Sequence, residues 1–152
     1  MTFFFLEKDL NVLNSEIKKL TEQIKEVAKE AAEGSEGGNE WHDNFSYEEG
    51  RRIQEMLSLR LKELTEIRQN ARLIQPPKLK DRAIVGCVVT IKYLDTNEIQ
   101  TFEIGGYIVF DNRNAISYNA PLARMLIGAR VEEIREAVLG KTTKRIQIIA
   151  IS

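Results

Sequence analysis

The sequence predicts an α+β protein: an N-terminal antiparallel α-helical coiled-coil hairpin, then a small C-terminal domain of strands and one short helix. Three observations predict it. Apolar residues recur at heptad spacing through most of the first half, a glycine-rich stretch interrupts that half near its centre, and beyond Pro76 and Pro77 the apolar pattern changes to alternation.

The first arm is set by Leu6, Leu10, Leu13, Ile17, Leu20, Ile24, Val27 and Ala31, whose steps of four and three trace one stripe along a helix with Lys and Glu around it. The second arm repeats the rhythm with Ile53, Leu57, Leu64, Ile67, Ala71 and Ile74. It breaks at Arg60, where Leu61 stands beside the stripe, and Pro76 and Pro77 stop it. Arms that fold back on each other bring together positions whose numbers have a constant sum. Leu6 with Ile74, Leu13 with Ile67, Ile17 with Leu64, Ile24 with Leu57 and Val27 with Ile53 all sum to 80 or 81, so the fold-back falls near residue 40. Gly34, Gly37 and Gly38 are then expected to end the first helix, and Asn44 or Ser46 to cap the second. Each arm of about 27 residues spans roughly 40 Å at the helical rise, which sets the tip, GNEWHDN at 38–44, far from the rest of the chain.

After the proline pair, residues 83–94 (AIVGCVVTIKYL) and 99–110 are expected strands, separated by the turn residues Asp95, Thr96 and Asn97. Residues 115–118 are expected to add a third. Asn119 and Pro121 open a short helix, PLARMLIGA, and residues 144–151 alternate into a closing strand whose Ile146, Ile148 and Ile149 need burial. A unit of about 70 residues with this content is small but can hold its own core.

At 152 residues, 43% hydrophobic and 30% charged, the chain has room for one ordinary core plus an extended element, and none for a large enzyme. Its net charge of −1 gives no general argument for nucleic-acid or membrane binding, yet it hides an asymmetry. Residues 1–75 carry 11 Lys/Arg against 15 Asp/Glu, and residues 76–152 carry 11 against 8, so an acidic half precedes a basic one. The single Cys87 excludes an internal disulfide framework and a cysteine zinc site. It reads as a small core residue, and a reducing cytoplasm is the expected location. The apolar opening MTFFFL is cut off by Glu7, Lys8 and Asp9, short of a signal peptide or membrane span, so no membrane partner is expected. An intramolecular hairpin needs no second chain, and a monomer is expected.

The chemistry concentrates at the tip. Between Lys29 and Arg51 stand seven acids and no Lys or Arg. Such a run is commonly a solvated helix cap. Glu40 and Asp43 differ, because carboxylates three residues apart at a tight turn can converge on one point, and two converging carboxylates repel unless a cation or proton joins them. Mg²⁺ takes oxygen ligands and is commonly held by one or two carboxylates with water and phosphate, so the pair fits a metal ion shared with a partner. His42 between them is the only His, which leaves no self-sufficient zinc or iron site and no believable catalytic triad. GSEGGN lacks the Lys and the preceding strand of a phosphate-binding loop. No complete active site is present.

The stretch DNFSYEEGRRIQ through ARLI, with 27 residues from Tyr47 to Ile74, and the stretch ISYNAPLARMLIG resemble the two signature regions of the bacterial GreA/GreB transcript-cleavage factors. The resemblance covers nearly the whole chain. It implies a coiled-coil hairpin over 1–75, a linker at 76–80 and an FKBP-like polymerase-docking domain over 81–152. It also implies a factor, not an enzyme in its own right, that inserts its hairpin through the secondary channel of bacterial RNA polymerase. Members of that family place an Asp-x-x-Glu pair beside the polymerase's catalytic aspartates, help hold the second Mg²⁺ and activate water to cleave backtracked RNA. Glu40 and Asp43 stand at the matching positions in reversed order, Glu-x-x-Asp, and so carry the expected catalytic and metal-binding roles. The same fold and docking without cleavage, in a regulator that inhibits or modulates polymerase, is the alternative.

Trp41 and His42 stand where the family usually has a smaller apolar residue and Lys. Trp41 either packs on polymerase or the extruded RNA 3′ end, or folds back on Phe45 or Tyr47. Arg51, which matches a family arginine, and Arg52 either contact RNA or pair with Glu48 or Glu55. Family members dock the loop around the signature proline on the channel rim, so Asn119, Pro121 and Leu122 are the expected docking residues, against the alternative that they only start a helix. Ala120 replaces the family's Ser before that proline.

Overall fold

The structure is a computed structural model that describes the backbone of residues 1–35, 40–110 and 114–152; in its helices, the side chains of residues 31, 33–35 and 40–46 are outside the described set. The elements run in the order β1 (Phe3–Phe5), α1 (Glu7–Ser35), α2 (Glu40–Gln69), β2 (Ala71–Leu73), β3 (Val88–Tyr93), β4 (Ile99–Gly105), β5 (Ala115–Ser117), α3 (Pro121–Leu126), β6 (Ile134–Leu139) and β7 (Thr142–Ile151). This is the expected α+β architecture, two long helices forming a hairpin and then a sheet domain. Two compact units divide the chain, one formed by Met1–Val12 with Ala71–Ser152 and the other by Leu13–Asn70.

In the second unit the arms meet along one stripe. Leu13, Leu64 and Ile67 are buried, and Arg68 Nε donates to Asn14 Oδ1 at 2.7 Å, joining the arms one position beyond Leu13 and Ile67. Farther along, Ile17, Leu20, Ile24, Val27, Leu57 and Leu61 are half-buried, because a two-helix hairpin without a third layer covers only one face of each helix. The fold-back differs from expectation in its caps. α1 runs through Gly34 to Ser35, and α2 already begins at Glu40, so Asn44 and Ser46 lie inside the helix and not at its start. Glu40 and Asp43 occupy that first turn, where the helix dipole favours acids. Gly37 and Gly38 lie outside the described residues.

The second arm also ends earlier than its apolar rhythm suggests. α2 stops at Gln69, and Ala71–Leu73 is a strand paired in parallel with Phe3–Phe5, in the register Phe3 with Ala71 and Phe5 with Leu73. Ile74 N–H donates to Phe5 O at 2.9 Å and extends the pair. The chain thus enters and leaves the hairpin side by side. Phe5 and Leu6 are buried.

The sheet has the order β5-β4-β3-β7-β6, with β4 and β5 parallel and the other neighbours antiparallel. Alternation sends Val89 and Ile91, Phe102 and Ile104, and Ile146 and Ile148 to one face, where Ala123 and Leu126 of α3 complete the core with Ala83, Cys87 and Ala129. The expected first strand begins only at Val88, since Gly86 takes φ +96° and Cys87 N–H closes a turn on Ile84 O at 3.0 Å. The second expected strand stops at Gly105. Ile149 is 40% exposed and lies outside the core, contrary to expectation; β3 and β7 slip register beside it, between Thr90 and Ile91.

Gly106, just after β4, is bonded to the root of α1. Its N–H donates to Asp9 Oδ2 at 2.7 Å, with Asp9 itself buried. A Cβ at this position would lie 3.0 Å from Asp9 Oδ2, 3.1 Å from Phe5 Cα and 3.2 Å from Phe4 O, so Gly106→Ala forces backbone to shift. The expected loss is about 1–3 kcal/mol, read as a lower denaturant midpoint at unchanged slope.

At the other end of the sheet, Lys144 Nζ donates to Asp95 Oδ2 at 3.2 Å, and this hydrogen bond holds the Asp95 carboxyl below its ordinary value of 3.8. A carboxyl depressed in the folded state adds stability above its unfolded pKa and loses it as pH falls through the folded one. An NMR titration is expected to place the Asp95 midpoint below 3.8 and to raise it in Lys144→Met. The pair is exposed, so its effect on stability is small.

Candidate functional site

Helical backbone from Glu40 onward puts Glu40 and Asp43 three positions apart within a single turn at the N-terminal end of α2. The helix dipole there opposes the mutual repulsion of two carboxylates, and their hard oxygen donors are of the type Mg²⁺ takes. The side chains of Glu40, Trp41, His42 and Asp43 lie outside the described residues. Among the described residues no group of three or more His, Cys, Asp or Glu could hold a metal ion, and no helix is long and apolar enough to cross a membrane.

Below the tip, Glu48, Glu49, Arg51 and Arg52 are exposed. Among the described residues no ion pair joins either arginine to Glu48 or Glu55. Arg60, farther down α2, is engaged with Glu63 at 2.7 Å.

The second candidate region is the loop between β5 and α3. Ser117 Oγ donates to Tyr107 O at 2.6 Å and accepts from Asn119 N–H at 3.1 Å, while Ala120 N–H closes a turn on Ser117 O at 3.0 Å. These bonds present Asn119 and Pro121 to solvent, with Leu122 half-buried behind them. Pro121 begins α3, where its fixed φ and missing N–H cost nothing. Ala120 is the N-cap and supplies no side-chain bond. The loop therefore both starts a helix and exposes two of its three expected docking residues.

The C-terminal half, residues 77–152, matches the family model for the transcription elongation factor GreA/GreB C-terminal domain. Similarity extends through the hairpin as well. The chain is 31% identical over 147 residues to the transcription elongation factor GreA of Rickettsia felis, across 95% of this chain and 90% of that protein. The chain belongs to the GreA/GreB family of transcription elongation factors. It is also 32% identical over 141 residues to the GreA of Paracoccus denitrificans, covering 91% of this chain and 90% of that one. Among solved structures, the GreA factor homolog 1 protein of Thermus thermophilus aligns over 100% of this chain and 99% of its own at 18% identity and a TM-score of 0.48.

Within this GreA/GreB chain, one group near the loop between β5 and α3 has no counterpart among the residues predicted from sequence. Phe3, Phe4, Tyr107 and Tyr118 form a ring cluster, with centroids 4.4 Å apart for Phe3 and Tyr107, 6.1 Å for Tyr107 and Tyr118 and 6.3 Å for Phe4 and Tyr118. The signal is the aromatic triplet FFF directly before the heptads.

Proposed function

We propose that this protein enters the secondary channel of bacterial RNA polymerase with its helical hairpin and stimulates cleavage of backtracked RNA. In this reading Glu40 and Asp43 help hold a catalytic Mg²⁺ shared with the polymerase. Family membership supports the partner, and one observation carries the chemistry: two carboxylates lie within the first turn of α2, beside the fold-back of the hairpin. The nuclease belongs to the polymerase, and this chain acts as a monomeric accessory factor.

A bound Mg²⁺ supplies Lewis-acid activation of water and neutralises charge on the scissile phosphate. The chain's own groups do the rest. Glu40 and Asp43 complete an oxygen shell and orient water. Arg51 and Arg52, unpaired among the described residues, meet the phosphates of the nascent RNA 3′ end, and Trp41 and His42 face the RNA or the channel wall. Asn119, Pro121 and Leu122 seat the sheet domain on the channel rim.

The reversed order of the two acids favours a second reading, a channel regulator without cleavage activity, because it moves each carboxylate by about one methylene while metal sites tolerate errors of only about 0.2 Å. Purified protein added to stalled, backtracked complexes separates the two. Shortened RNA supports cleavage stimulation. Slowed nucleotide addition with RNA of full length selects the regulator, and failure to compete with another channel-binding factor sinks both.

A further inference from the structure

Phe4 lies in the middle of β1, and the edge of β1 that faces away from β2 is open to other partners. The backbone groups of Phe4 are met there by the sheet domain. Tyr107 N–H donates to Phe4 O at 2.9 Å, and Phe4 N–H donates to the Tyr118 hydroxyl at 3.1 Å. A side-chain hydroxyl thus stands in for a strand neighbour. Tyr118 immediately precedes Asn119 and Pro121, and Ser117 Oγ ties the same loop to Tyr107 O. On the other side, Phe4 is three residues from the first turn of α1, which Asp9 fastens to Gly106 and Lys8 to Glu103 at 2.7 Å. A continuous set of bonds therefore leads from the docking loop to the root of the first arm.

We propose that Tyr118 is a positioning residue, whose hydroxyl links the seating of the docking loop on polymerase to the placement of β1 and the root of α1. This rests on the function proposed above. A loop that only anchors the protein needs no bond to β1. A loop whose seating must also set the hairpin root needs one, and the Tyr118 hydroxyl is the side-chain group of this loop that bonds β1.

Tyr118→Phe keeps the ring cluster and removes the bond; Tyr107→Phe, whose strand contacts run through its backbone, is the matched control. In the full-length protein, Tyr118→Phe is expected to bind polymerase within about twofold of wild type and, at saturating factor, to shorten RNA roughly threefold to tenfold more slowly, the net worth of one hydrogen bond. Tyr107→Phe is expected to match wild type. Hydrogen exchange supplies a second readout: polymerase is expected to slow exchange at the Phe4 amide in wild type and not in Tyr118→Phe. A Tyr118→Phe protein with wild-type maximal rate overturns the proposal, as does one whose affinity and rate fall together. Should wild type bind without shortening RNA, the cleavage reading fails by itself, and the exchange difference at Phe4 decides the positioning role. Wild type that does not bind polymerase overturns both.

Discussion

Glu40→Ala and Asp43→Ala are each expected to reduce transcript shortening at least about 100-fold while leaving polymerase binding within about twofold. Partners one shell removed from a metal already cost roughly 10–100-fold when lost, and a direct ligand costs at least the upper end of that range. In the function proposed above, binding is spared because the expected docking residues Asn119, Pro121 and Leu122 are in the sheet unit, and neither acid is in it. The informative comparison is with Glu40→Asp and Asp43→Glu made together, which restores the family's order of acids. A faster double variant means that side-chain length limits the native pair; an equal or slower one means that α2 already suits the native order. If either alanine variant shortens RNA as well as wild type, the tip carboxylates do not carry the chemistry.

The largest expected effect on stability is at Phe5. It is fully buried in β1, and Phe5→Ala is expected to cost about 3–5 kcal/mol. For a chain of this size that corresponds to a fall of roughly 10–20 °C in melting temperature, measurable by calorimetry. Phe4→Ala, at a position 41% exposed, is expected to cost less than half as much. The contrast tests whether the N-terminal strand is part of the folded sheet unit. Equal and small losses would show that it is not.

That strand is also where the sequence was hardest to read. The heptads locate both arms and the fold-back, because a two-helix hairpin has a single apolar stripe and pairs it by position number. The same rhythm runs on through Leu6 at one end and Ala71 and Ile74 at the other, so spacing alone carries the helices into what are strand and turn. No local rule separates them: β1 and β2 exist only because each supplies the other's ladder. β6 escaped for a different reason. Its apolar residues fall on both faces, Ile134 and Val138 at 46% and 67% exposed on one and Ala137 and Leu139 beside Arg135 on the more buried other, so no apolar–polar alternation reveals it. The tip acids stand out by type and spacing, whereas the helix start does not, since Asn39, Asn44 and Ser46 are all capping residue types and the sequence alone does not choose among them. The expected boundaries at 75 and 81 follow the prolines, and contact groups Met1–Val12 with Ala71–Ser152, within which lie the β1–β2 pair and the Asp9–Gly106 bond.

Phe3–Phe5 and Ala71–Leu73 run abreast and in the same direction, so the chain on either side of the hairpin is gathered into one ladder. Adding one heptad to each arm would extend the hairpin by about 10 Å at the helical rise and touch neither strand. The length of the hairpin can therefore change without altering the β1–β2 ladder.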